Sequence, residues 1–283
     1  MPAIEHDLFI EWMKWLQKNS PLHKFTYDGI VSMKDWLVTP TKILFVLKDY
    51  NDSCHTEDHL SLDQFDIDDR EAIKANIPNL RYHLANSIAD KRNWRTWNNA
   101  ARWTYGLLNS TSGNYPPYSE ASSKGDSRHR TVFMKKVAVL DLKKQPGKSA
   151  CSRKILDDYF AKHHESYSFL ARQISLYGHL DYIVCCGDGI LEHFLHVLEI
   201  HIHKSPENKI VYKGEKFFLT EGGTLIIDYR HPLLLQKGVS AKEAYISLMK
   251  IVQTALKIKS HVCLISTSGQ KKVESTTVNA SAK

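Results

Sequence analysis

Strand-length apolar runs alternate with stretches of helical spacing along most of this chain. Residues 43–47 (ILFVL), 137–142 (VAVLDL), 180–187 (LDYIVCCG) and 222–229 (GGTLIIDY) are apolar enough to be strands buried on both faces. Residues 4–18, 94–109, 151–177, 190–203 and 241–256 space their apolar side chains as amphipathic helices do. In the first of these, Leu8, Trp12, Trp15 and Leu16 form the stripe, and Ser20-Pro21 ends it. Residues 71–89 also read as helical, with Pro78 interrupting them. Strands that alternate with helices predict a three-layer α/β/α fold with a central four-stranded, mostly parallel sheet. The expected organisation is a single domain over residues 1–265 with an N-terminal helical extension. A Ser/Thr/Lys-rich disordered tail follows over residues 266–283.

Polar groups cluster where these runs stop. The first strand ends in Lys48-Asp49-Tyr50-Asn51-Asp52, the second carries Asp141, and the fourth leads into Arg230-His231-Pro232. In an open α/β sheet, ligands bind beyond the carboxyl ends of the strands. A parallel sheet would bring Asp49, Asp141 and His231 to one edge. Taken alone, the first of these stretches is equally a strand closing in a surface turn. Residues 52–69 are acidic and histidine-bearing without a recognisable metal-ligand spacing, so a solvated loop is expected there. Residues 110–130 form a Ser/Gly/Pro-rich stretch, which at that length is either functional or disordered.

Composition narrows the function classes. With 38 Lys+Arg against 31 Asp+Glu the net charge is +7, and the pI is about 9.0, a balance suited to a polyanionic partner such as nucleic acid. Five cysteines form no CxxC pair and no zinc-type spacing, and adjacent Cys185-Cys186 on an apolar run read as reduced, buried thiols. No metal or other cofactor is therefore expected. The acidic N-terminus lacks the basic flank of a secretory signal, and no apolar run reaches membrane-spanning length. A cytoplasmic monomer without membrane association is the expectation.

The order of these strand ends resembles the uracil-DNA glycosylase superfamily over roughly residues 25–260. Leu47-Lys48-Asp49-Tyr50-Asn51 stands at its first motif, Val139-Leu140-Asp141-Leu142-Lys143-Lys144-Gln145 at its middle motif, and His231-Pro232-Leu233-Leu234-Leu235 at its last. The chain departs from the pattern in three ways. The first motif lacks its usual Gly and Pro, Asp141 replaces the usual Asn, and Asn51 stands where uracil-specific members place a Tyr.

The resemblance implies a monofunctional enzyme that flips a base out of DNA and hydrolyses its N-glycosidic bond. Asp49 would stabilise the oxocarbenium-like sugar and orient water, and His231 would donate to the base oxygen where charge develops. Lys48, Tyr50, Asn51 and Asp141 would line the base, with Tyr50 or an aromatic of the 97–105 stretch stacking on it. Lys143, Lys144, Lys148 and Arg230 would hold phosphates, and Leu234 or Leu235 would wedge into the vacated duplex. Asn51 would open the carbon-5 side of a pyrimidine. An ionised Asp141 suits the exocyclic amine of cytosine, and a protonated one could also donate to N3. The implied substrate is a 5-substituted cytosine, as in hypermodified, glucosylated phage DNA, which would make the enzyme a defence factor. Uracil repair, a non-catalytic nucleic-acid-binding module of the same fold, and a metal-dependent nuclease using residues 52–69 are the rival readings.

Overall fold

The computed structural model describes residues 2–19, 25–51, 80–86, 95–147, 151–202, 206–233 and 238–277. Its elements run α1 (Pro2–Asn19), β1 (Gly29–Ile30), α2 (Met33–Val38), β2 (Ile43–Asn51), α3 (Leu80–Asn86), α4 (Arg95–Leu108), α5 (Tyr118–Ser122), α6 (Ser127–Met134) and β3 (Ala138–Gly147). They continue with α7 (Arg153–Lys162), α8 (Ser166–Ser175), β4 (Tyr182–Cys186), α9 (Ile190–Ile202), β5 (Ile210–Lys213), β6 (Phe217–Thr220), β7 (Leu225–Tyr229) and α10 (Ala241–Thr277). One mixed sheet in the order β1-β3-β2-β4-β7-β6-β5 forms the centre, with helices packed on both of its faces.

The four strands legible as apolar runs form the parallel core, β3-β2-β4-β7. The sheet is wider than the expected four strands because β1, β5 and β6 add antiparallel edges. These edges escape a reading by apolar runs: β1 has two residues, and β5 alternates half-buried with exposed positions. An edge strand needs no double-sided burial.

Alternation along each strand divides the core in two. Leu44, Val46, Ala138, Leu140, Ile183 and Cys185 face α1, α7, α8 and α9. Ile43, Phe45, Leu47, Val139, Val184 and Ile227 face α3, α4, α6 and α10. The connection from β2 to β3 runs over the second face, and the connection from β3 to β4 over the first. The direction of winding thus reverses at β2, and such a switch point opens a crevice at the carboxyl end of that strand.

Three further expectations change. The single helix expected over residues 151–177 is two, α7 and α8, separated at His163-His164-Glu165. The break lets Leu156 and Phe160 on one segment and Leu170 and Ile174 on the next pack against the same sheet face. Residues 110–130 hold α5, a 3-10 turn and the first half of α6. Asp126 starts α6 by accepting from the main-chain N–H groups of Arg128 (3.0 Å) and His129 (2.9 Å), an N-cap. The closing helix passes Leu256 and continues to Thr277, so residues 266–277 of the expected disordered tail are helical. Extending a formed helix adds a hydrogen bond per residue without a new nucleation cost. Residues 278–283 lie outside the described residues. No helix among the described residues is long and apolar enough to cross a membrane.

Candidate active site at the carboxyl ends of the parallel strands

The parallel register places the polar strand ends side by side. Leu47 lies opposite Asp141 and Asp49 opposite Lys143, with an irregularity in the pairing just beyond Asp49. Partners in parallel strands share a face, so Asp49, Asp141 and Lys143 continue the row that Phe45, Leu47 and Val139 begin.

Asp49 is largely enclosed, its side chain 6% exposed, and Lys143 Nζ reaches its Oδ2 at 3.3 Å. Burial pushes the Asp49 carboxyl above the ordinary aspartate range, and Lys143 opposes that push. The Cys151 thiol donates to the Ser152 carbonyl at 3.7 Å, and burial followed by the Asp49 charge raises this thiol to about 11. Cys151 is thus a neutral donor at physiological pH, not a thiolate nucleophile. Lys143 also donates to the Gln145 carbonyl. It is turned inward onto Asp49, contrary to its expected role on phosphate.

His231 follows β7. Gly187, at the tip of β4, has φ +127 and donates from its N–H to the Tyr229 carbonyl at 2.7 Å. A side chain at Gly187 would touch His231 Cβ at 3.8 Å and Lys48 Cε at 4.0 Å, which places Lys48 and His231 both beside this glycine. Burial and then the Lys48 charge lower the His231 imidazole from 6.5 to about 4. The ring is neutral at physiological pH. The Leu233 N–H donates to its Nδ1 at 3.1 Å, so the ring proton sits on Nε2, free to donate.

The loop carrying His231 is tied to α4. Asn99 Nδ2 donates to the Pro232 carbonyl at 2.7 Å, Arg102 Nη1 donates to Asn99 Oδ1 at 2.7 Å, and Arg102 Nε donates to the Ser122 carbonyl at 3.1 Å. On the same helix Trp103 meets the Tyr229 ring edge-on at 5.2 Å, and the Tyr229 hydroxyl donates to the Ala244 carbonyl at 2.5 Å. The Arg230 guanidinium lies over the Tyr229 ring at 5.6 Å.

Asp141 is 1% exposed, and neither carboxyl oxygen has a hydrogen-bond partner. Burial first, and then the neighbouring Asp28, raise its carboxyl well above the ordinary range. The ionised form considered from sequence is therefore the disfavoured one. Lys144, expected on phosphate, is fully buried and paired with Asp28, its ammonium over the Trp12 and Phe9 rings at 5.3 Å and 5.8 Å. It alternates with Lys143 along β3 and so enters the core on the α1 face.

The structure thus gathers Lys48, Asp49, Asp141, Lys143 and His231 at one end of the parallel core. The backbone of Tyr50 and Asn51 completes β2, but their side chains lie outside the described residues, as do Lys148, Leu234, Leu235 and residues 52–79. Trp97 and Tyr105 of the expected stacking helix are partly buried against the second core, and Tyr105 donates to Glu120 at 2.8 Å. Among the described residues, no group of three His, Cys, Asp or Glu is placed to hold a metal ion. The sequence reading missed Asn99, Cys151 and Asp28. Asn99 had a signal, an amide on the inner face of an amphipathic helix, four residues before buried Trp103. Asp28 read as a turn former before Gly29, and nothing local marked Cys151. Comparison of the chain with protein-family models, with curated proteins and with solved structures finds no match in any of the three.

Proposed function

We propose that this protein is a monofunctional DNA glycosylase acting on a 5-substituted cytosine in DNA, glucosylated phage DNA included. The observation that carries the reading is a carboxyl, Asp49, and a neutral Nε2-protonated imidazole, His231, both under the charge of one cation, Lys48, at the carboxyl ends of the parallel strands.

Breaking an N-glycosidic bond leaves positive character on the sugar and negative charge on the base. Asp49 faces the first: its negative charge stabilises the oxocarbenium-like sugar, and its oxygens orient the attacking water. Lys143 favours the charged form of Asp49 against its burial. His231 faces the second. A neutral imidazole donates a hydrogen bond without adding a buried charge to the resting site, and Lys48 supplies positive potential where the base anion forms. No metal enters these steps. The four parallel strands and the order of the three motifs support membership of the uracil-DNA glycosylase-like fold. Arg230, with Lys148 and the Leu234–Leu235 wedge, remains assigned to DNA by the resemblance, and the chain acts on DNA as a monomer in the cytoplasm. Uracil stays as a second substrate reading because a neutral Asp141 satisfies either pyrimidine.

Duplexes containing uracil, 5-hydroxymethylcytosine or its glucosylated form, each incubated with the protein and assayed for free base, test this. Release of the cytosine derivatives is expected, and release of uracil alone would sink the cytosine assignment. Asp49→Ala and His231→Ala are expected to bind duplex but release no base. Binding with no release by the wild-type chain on any duplex would instead favour the non-catalytic module.

A further inference from the structure

The tie between α4 and the His231 loop fixes more than a carbonyl. Asn99 is buried, and both ends of its amide are bonded: Nδ2 donates to the Pro232 carbonyl at 2.7 Å, and Oδ1 accepts from Arg102 Nη1 at 2.7 Å. A guanidinium has no acceptor and a carbonyl has no donor, so this amide has one workable orientation. Flipping it would set Nδ2 against Arg102 and Oδ1 against the Pro232 oxygen. Arg102 is held in turn. Its Nε donates to the Ser122 carbonyl at 3.1 Å. Gly125 packs against it so closely that an added Cβ would come within 2.6 Å of Arg102 Nε and 2.5 Å of the Asn98 carbonyl.

The carbonyl of Pro232 and the N–H of Leu233 belong to one peptide unit, which is planar, with the two groups pointing opposite ways. At its oxygen this plane meets Asn99, and at its nitrogen it donates to His231 Nδ1 at 3.1 Å. The Pro232 ring locks its own φ, so rotation about the Cα–C bond is the soft motion that would turn the plane. The bond from Asn99 resists that rotation. Holding the oxygen therefore aims the N–H at Nδ1, and an Nδ1 that accepts leaves the ring proton to Nε2.

We propose that Asn99 and Arg102 are positioning residues that select the tautomer of His231, acting through the Pro232–Leu233 peptide plane. With the plane turned, the Leu233 N–H leaves Nδ1 and the proton settles on either nitrogen. A ring carrying it on Nδ1 presents Nε2 as an acceptor, which repels a base oxygen gaining negative charge. That catalytic consequence rests on the glycosylase reading, whereas the control of the tautomer rests on the geometry alone. The same chain of bonds gives residues 118–125 a hold on His231, through the Ser122 carbonyl and Gly125.

Asn99→Asp tests this at nearly constant shape. The carboxylate still accepts from Arg102, but it offers the Pro232 oxygen no donor and repels it. Nitrogen NMR of histidine-labelled protein at about pH 8, where the ring is neutral, reads the tautomer, with His231→Gln identifying the signal. Wild type is expected to carry the proton on Nε2 alone, and Asn99→Asp to show both tautomers. Arg102→Leu is expected to move the same signal in the same direction by less, and it carries the test if Asn99→Asp does not fold. A signal in Asn99→Asp identical to wild type, or an Nδ1 proton in wild type, overturns the inference. No change in Arg102→Leu overturns the part assigned to Arg102. Single-turnover base release is the second readout, expected to be about tenfold slower in Asn99→Asp with duplex affinity unchanged. Mixed tautomers with unslowed release overturn the link from tautomer to catalysis and leave the glycosylase reading standing. No release by wild type on any duplex, with the tautomer shift present, overturns that reading and supports the positioning role.

Discussion

His231 links the chemistry of the site to a measurable stability. Its imidazole is lowered from 6.5 to about 4 by burial and by Lys48. Between those values the unfolded chain binds a proton at this position and the folded chain does not, so stability rises with pH across the window. The contribution is fully present above 6.5 and is lost as pH falls to about 4. A difference of about 2.5 units at about 1.4 kcal/mol each corresponds to an upper figure of about 3 kcal/mol. Replacing His231 with Gln removes the titration while retaining a polar side chain of similar reach. Urea denaturation of both proteins at about pH 7 and at about pH 4 is the assay. Wild type is expected to lose about 2–3 kcal/mol more than His231→Gln over that interval, because the carboxylates titrate in both and cancel. Lys48→Met should raise the imidazole value and shrink the difference. Identical pH dependence in wild type and His231→Gln would refute the argument, since His231 would then not be held neutral by the fold.

Three other outcomes are expected. Lys144→Met leaves Asp28 buried without its cation and should destabilise by about 3–5 kcal/mol in urea denaturation, with the Asp28→Asn/Lys144→Met pair losing less. Asn99→Ala frees the Pro232 carbonyl and should cost about 1–3 kcal/mol, while slowing base release about tenfold at unchanged duplex affinity, read by single-turnover assay against a binding titration. Asp126→Ala removes the cap of α6 and should lower stability by about 1 kcal/mol without altering the pH dependence of base release.

How much of this was legible depended on what each signal encodes. The parallel strands were legible because burial on both faces writes an unbroken apolar run, as in Ile43–Leu47 and Tyr182–Cys186. The polar residues that end those runs were legible for the same reason, and the sheet brings Asp49, Asp141 and His231 to one edge. The antiparallel strands β1, β5 and β6 were not, since β1 has two residues, β5 alternates half-buried with exposed positions, and β6 is buried over only four residues. Lys143 and Lys144 show the limit most clearly. In sequence they are two adjacent cations fit for phosphate. In the fold, strand alternation turns one onto Asp49 and the other onto Asp28, and neither partner is a sequence neighbour. Asn99 acts on Pro232 from 133 positions away. Its helix was readable, but the carbonyl it holds was not.

The docking of α1 bears on how the chain is made. Phe9, Trp12 and Leu16 are fully buried in the finished fold, and Trp12 stacks on Phe169 at 5.3 Å. Glu5 meets Gln173 across 168 positions of sequence. Synthesised before α8, this helix waits for it to be translated, an interval on the order of ten seconds or more at about 5–20 residues per second. Throughout it the nascent chain displays an aromatic stripe whose partner Phe169 has yet to emerge. Helix α1 is accordingly a segment a ribosome-associated chaperone would meet, and the fold closes over its buried ion pairs only after α8 is made.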